Sequence, residues 1–158
     1  MSIDIHVRRA EPGDTTAYAR IFSRPEAQAN TLLLPYPSVA MWTQRLTNLS
    51  PDVQPLVAEV DVQVVGCASL HRNGEPRRAQ AGELGIGVDV AWQGRGVGRR
   101  LMAALIDVAD NWLVLHRMSC ASLPTTHGPL RYTNRWASHT KPCCAAAACA
   151  TASFRVRP

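Results

Sequence analysis

Residues 82–100 read GELGIGVDVAWQGRGVGRR, and no other stretch limits the fold of this chain as tightly. Leu84, Ile86, Val88 and Val90 recur at the period of a strand, which we place over residues 83–90. The strand runs into Gln93-Gly94-Arg95-Gly96-Val97-Gly98, and a helical pattern opens directly behind it. Glycines let a backbone turn through positive φ and approach a ligand closely. A strand, a turn crowded with N–H groups and a helix N-terminus together form an anion site suited to phosphate. Arg95, Arg99 and Arg100 add side-chain cations to it.

The spacing decides which phosphate ligand is meant. A P-loop needs Lys followed by Ser or Thr after the glycines, and none follows here. A Rossmann fingerprint needs G-x-G-x-x-G, whereas these glycines are spaced G-x-G-x-G, with no acidic residue near position 118 for a ribose. Taken alone, Gln93-x-x-Gly96-x-Gly98 is compatible with a surface turn that carries glycines. Set between a strand and a helix, it resembles the pyrophosphate loop of the GNAT N-acetyltransferases. The resemblance implies acetyl-CoA as co-substrate and no metal. It implies that Gln93, Gly94, Arg95, Gly96, Val97 and Gly98, with Arg99 and Arg100, hold the diphosphate. It also implies that backbone groups of Val88, Asp89 and Val90 pair with pantetheine like an added strand, an N–H near Val88 polarising the thioester.

Along the chain, Ile3, Ile5 and Val7 mark a strand over 3–9. Asp14 is placed to cap a helix running to about Ser23, and three prolines make 25–37 a loop. Ser38 is placed to cap a second helix carrying Met41, Trp42, Leu46 and Leu49. Leu56–Val60 and Val62–Leu70 read as a hairpin turning at Asp61. A polar loop over 72–80 leads to the strand at 83–90. The next helix runs from about Gly96 to Trp112, with Val97, Leu101, Ala104, Leu105, Val108 and Trp112 on one face. Leu113–Met118 begins another strand. This order matches the α/β acyl-CoA N-acyltransferase fold of the GNAT family, a mixed central sheet flanked by helices, up to its fifth strand. Residues 3–118 thus carry the resemblance, and 1–118 is expected to be the acetyltransferase domain. Asn30-Thr31-Leu32 through Pro35, Pro37-Ser38, Met41-Trp42, Arg45-Leu46 and Asp110-Asn111-Trp112-Leu113 are similar to a branch that acetylates the α-amino group of free amino acids.

Composition breaks at the same point. All 12 Asp and Glu lie at or before Asp110, and residues 1–118 balance them with 12 Arg. The net charge of +5 comes from Arg131, Arg135, Lys141, Arg155 and Arg157, so it does not describe a basic face for nucleic acid. Four of the 5 cysteines also follow residue 118, and the adjacent pair Cys143-Cys144 lacks zinc spacing. With no apolar run near 18 residues and a charged N-terminus, a cytoplasmic chain without membrane contact is expected. The family leaves room for a homodimer.

After Met118 the family pattern E-L-x-V, D-N, L-Y-x-x-x-G-F is missing. Back-translation read one base earlier can restore it as E-L-R-V-F-T-D-N-A-R-P-A-A-L-Y-E-P-L-G-F, which suggests a base lost beside the Met118 codon. Residues 119–158 are therefore an atypical tail, and the sheet is expected to be incomplete after its fifth strand. The family's L-Y tyrosine, its usual general acid, has no counterpart by pattern; Tyr132 stands in R-Y-T-N.

The chemistry expected of the matching part is direct attack of an amine on the thioester through a tetrahedral intermediate. Glu83 is the candidate base, against a solvated strand-end Glu. His71 either faces the same cleft or lies on the surface. Trp42 and Met41 line an acceptor pocket or belong to the core. Asn30 and Thr31 bind the acceptor or cap their loop. Cys67 reads as a small buried strand residue rather than a nucleophile. The acceptor is a small amine, with an amino acid first. A protein N-terminus or an antibiotic is the next reading, followed by CoA binding without turnover and by a non-functional product.

Overall fold

A computed structural model describes residues 3–28, 31, 33–122 and 150–155. Among these residues its sheet holds six strands in chain order. They are β1 (His6–Arg9), β2 (Val53–Val60), β3 (Gln63–Arg72), β4 (Ala81–Val88), β5 (Arg117–Ser122) and β6 (Ala150–Arg155). All neighbours pair antiparallel except β4 and β5, which run parallel from Ala81↔Arg117 to Leu84↔Cys120. The helices are α1 (Thr15–Phe22), α2 (Pro25–Gln28), α3 (Val39–Thr47) and α4 (Val97–Asp107).

The two faces of the sheet make two cores. On one, Leu101 and Leu105 of α4 pack over Val65, Ala68, Leu70 and Leu84. On the other, Tyr18 and Ile21 of α1 and Trp42 and Leu46 of α3 cover Val57, Val64 and Cys67. Both helical layers lie directly on strand backbone. A Cβ at Gly66 would stand 2.9 Å from Val97, and one at Gly87 would stand 2.8 Å from Phe22. Packing of this closeness needs glycine at those strand positions.

Several elements depart from the sequence expectation, each for a physical reason. Asp14 does not cap α1 with its side chain. Its carboxylate instead takes both guanidinium nitrogens of Arg8 at 2.8 Å and the Glu11 amide at 2.8 Å. Arg8 also reaches Glu59 at 2.7 Å, so β1 is tied to both α1 and β2. The Arg8 bond holds the Asp14 carboxyl below its usual range, and Arg8 does the same for Glu59. Ser38 caps α3 as expected, accepting from the Met41 amide at 3.1 Å. The Pro-rich loop contains the single turn α2.

Val90 lies beyond β4, in a 3-10 turn over Val90–Trp92. Trp92 donates its amide to the Asp89 carbonyl there, which closes the chain into a turn instead of extending the strand. Trp112 is 77% exposed rather than on the buried face of α4. A π-helical turn over Val108–Trp112 widens the helix and shifts its phase, so Ala109 and Leu115 are buried in place of Trp112. The fifth strand consequently starts at Arg117. The sheet also continues beyond it. β6 pairs with β5 from Arg117↔Arg155 to Ser122↔Ala150, which satisfies backbone groups that an edge would leave open.

Candidate active site

The strand β4 passes two sites, one at each end. At its C-terminal end, the ladder to β5 stops at Leu84↔Cys120, although β4 continues to Val88. The two strands therefore splay, and the β5-facing edge of Gly85–Val88 has no ladder partner among the described residues. This edge leads straight into the glycine turn. Gly94 has φ +74° and Gly96 has φ +90°, and a Cβ at either would meet nothing within 4 Å among the described residues. The glycines are needed for conformation there rather than for space inside the protein. Gly96 is the N-cap of α4, so Val97, Gly98 and Arg99 form its first turn, whose N–H groups lack intrahelical partners. Gly98 lies against Val88, its Cβ position 3.7 Å from the valine, so helix start and strand end are in contact. Gln93 donates its side-chain amide to the Val88 carbonyl at 3.3 Å, closing the turn back on the strand. Arg95 lies over the Trp92 ring at 5.0 Å, while Arg99 and Arg100 are exposed on the first turn of α4.

Asp89 sets the angle between strand and turn. It is buried, its carboxylate meets Arg20 of α1 at 3.0 Å, and its amide donates to the Val65 carbonyl at 2.9 Å. Arg20 also donates to the Val64 carbonyl at 2.6 Å. The Asp89 amide is thus engaged by Val65 and its carboxylate by Arg20, and the sequence alone did not reveal Arg20 as the carboxylate's anchor.

At the N-terminal end of β4, an open cavity of about 240 Å³ is lined by His71, Arg78, Glu83, Arg117 and Ser119, among others. Register explains why they meet. Glu83 stands opposite His71 on β3 and opposite Ser119 on β5. Alternation puts Ser69, Gly85 and Arg117 on the same face. His71 Nε2 and Ser69 Oγ are 3.0 Å apart. Desolvation lowers the His71 pKa below its usual 6.5, Glu83 opposes that shift and Arg45 adds to it. The imidazole is therefore neutral at pH 7. Glu83 is exposed at the cavity and, among the described residues, has no ion-pair partner. The structure thus brings His71 and Glu83 together.

Trp42 is 6% exposed and packs among Tyr18 and Phe22, with ring centroids 5.0 Å away in both cases. Arg45 lies 5.2 Å over its ring. Neither Trp42 Nε1 nor the Tyr18 hydroxyl has a hydrogen-bond partner among the described residues, and burial raises the Tyr18 pKa. Thr31 is in the same condition: its hydroxyl is buried without a partner, and its amide donates to the Gln28 carbonyl at 3.4 Å. Asn30 and Tyr132 lie outside the described residues. Cys67 is fully buried and its thiol is pushed up, which suits a packing role. Arg78, Arg117 and Ser119 were missed by sequence reasoning, because only the parallel β4–β5 register brings the last two beside Glu83.

The acetyltransferase (GNAT) family matches residues 16–131. This chain belongs to that family. It is an N-acetyltransferase. Over 115 residues it is 40% identical to the L-amino acid N-acetyltransferase AaaT of Escherichia coli K12, covering 73% of this chain and 70% of that protein. A ribosomal-protein-alanine N-acetyltransferase of Brucella melitensis is 27% identical with a TM-score of 0.71, covering 82% of each chain. The fold is also that of the Salmonella typhimurium protein yncA, solved with its cofactor acetyl-CoA. That protein is 19% identical with a TM-score of 0.75, covering 97% of this chain and 94% of that one. Among the described residues no helix is long and apolar enough to cross a membrane.

Proposed function

We propose that this acetyltransferase moves the acetyl group of acetyl-CoA to the α-amino group of a free amino acid. The similarity to an L-amino acid N-acetyltransferase at 40% identity is the observation that carries the acceptor class. The residues present suit acetyl-CoA. The two left-handed glycines and the first turn of α4 offer N–H groups and a favourable dipole to a diphosphate, with Arg95, Arg99 and Arg100 around them. The open edge of β4 offers backbone groups to the amide-bearing arm of the cofactor.

Acetyl-CoA, when bound, supplies an activated acetyl thioester. Glu83 takes a proton from the acceptor ammonium, directly or through one water, and releases a neutral amine to attack. His71 opposite it is neutral, so it does not hold the ammonium off by like charge. Gly85, the next residue on that face, leaves the route from Glu83 towards the splay open, because among the described residues only Ser69 Oγ comes within 4 Å of its Cβ position. Trp42, buried between Tyr18 and Phe22, belongs to the core and does not line the cavity beside Glu83.

A second reading rests on the break after Met118. Residues 119–158 contain no acidic residue and no L-Y tyrosine in the family's pattern, and on this reading the chain binds CoA but turns over slowly. A base lost beside the Met118 codon would account for this tail. Thiol release from acetyl-CoA, monitored across free amino acids, tests the main reading. Release that depends on the amino acid supports it. CoA binding without release supports the second, and DNA sequence through the Met118 codon tests its origin.

A further inference from the structure

The cavity at the start of β4 carries charges that are not explained by the fold. Arg72 is neutralised there by Asp52, at 2.6 Å and 2.8 Å. Arg78 and Arg117 have no carboxylate partner among the described residues, and neither does Glu83, the cavity's acidic lining residue, have a cationic one. Glu83 and Arg117 share one face but are offset diagonally, since Glu83 pairs with Ser119 and Arg117 with Ala81. Two residues of rise and one strand spacing separate them by about 8 Å between Cα atoms. They do not close into an ion pair with each other.

We propose that Glu83 and Arg117 form a seat for a zwitterion, Glu83 holding the ammonium of an α-amino acid and Arg117 its carboxylate, with Arg78 at the rim. This rests on the amino-acid reading of the acceptor and adds the residue that selects for it. An α-amino acid separates its two charges by a single carbon. Glu83 and Arg117 line one open cavity without pairing, so a molecule that carries both charges can stand between them with a charge-assisted hydrogen bond at each end. The guanidinium fork suits a carboxylate better than a point charge does. The same geometry favours amino acids over amines without a neighbouring anion, because those amines make the Glu83 contact and gain nothing from Arg117.

The test uses the full chain and two probes, a free amino acid and its carboxamide. Binding is read by calorimetry and acetylation by thiol release. In the wild type the amino acid should bind more tightly than the amide. Arg117→Gln should weaken amino-acid binding about ten- to a hundredfold. The amide should bind both proteins alike. Arg117→Lys should recover part of the loss, and Arg78→Gln should cost less than Arg117→Gln. The Arg117 side chain is exposed, so a thermal melt should show both variants folded. Equal binding of the two probes by the wild type, an equal loss of both in Arg117→Gln, or binding of neither would overturn the seat. Arg117-dependent binding of the amino acid without its acetylation would support the seat and overturn only the acceptor reading.

Discussion

The two ends of β4 are built on opposite principles. At the C-terminal end the backbone forms the site: splayed strands, two left-handed glycines and a helix N-terminus. At the N-terminal end side chains form it: Glu83, His71, Arg117 and Ser119, brought from three strands onto one face. A backbone site tolerates many side chains but few changes of φ. A side-chain site tolerates backbone adjustment but depends on the identity of each charged group. The first therefore suits a constant donor and the second a selected acceptor.

This difference also governs what could be read before the structure. Backbone conformation leaves a trace in sequence, because φ of +74° and +90° calls for glycine, and Gly94 and Gly96 stood out at once. The order of strands and helices was legible for the same local reason, as was the Ser38 cap. Arg117 left no such trace. Its place beside Glu83 comes from a parallel pairing between strands 36 positions apart, which no local pattern encodes. Trp112 was misplaced because the π-helical turn changes the helical phase without any marker residue. Val90 was misplaced because its apolar character fits a strand, while the chain had already turned at Asp89. Asp89 itself shows how far the two ends depend on the shared scaffold. Its buried bond to Arg20 fixes the exit from β4, and nothing near position 89 announces the partner on α1.

Predictions from this contrast separate the ends. The largest effect is expected from Glu83→Gln. It should lower kcat by about a hundredfold or more at neutral pH, as loss of a general base does. The KM for acetyl-CoA should stay within about twofold, because the turn proposed to hold the donor lies at the other end. Parallel steady-state titrations of donor and acceptor check this. A matching rise in the acetyl-CoA KM would merge the two sites into one. Gly96→Val should do the converse. A β-branched side chain at φ +90° costs about 1–2 kcal/mol of strain, and relief of that strain distorts the turn. The donor KM should rise about tenfold, with the acceptor KM near its original value.

A smaller effect concerns pH at the acceptor end. Burial lowers the folded-state pKa of His71 below its ordinary 6.5. Between those two values the unfolded chain binds more protons, so stability rises with pH through this window and the folded state is penalised below it. Denaturant melts across the window should show this slope, and His71→Asn should flatten it. A slope unchanged in the variant would assign it to another group.

The smallest expected effect tests the rule behind the glycine turn where it is broken. Asp61 and Val62 turn the β2–β3 hairpin at φ +48° and +65°. Val62 is 93% exposed, so nothing packs to compensate its strain. Val62→Gly should stabilise the fold by about 1 kcal/mol, seen as a higher denaturant midpoint at an unchanged slope. Activity should be unaffected, since the hairpin tip is remote from both ends of β4.

The central claim is that the donor is held by backbone geometry at one end of β4, independently of the acceptor chemistry at the other. Calorimetric titration of CoA into the wild type, Glu83→Gln and Gly96→Val tests it most directly. The wild type and Glu83→Gln should bind CoA with equal affinity, and Gly96→Val should bind it about tenfold more weakly. Failure of the wild type to bind CoA, or equal binding by all three, would contradict it.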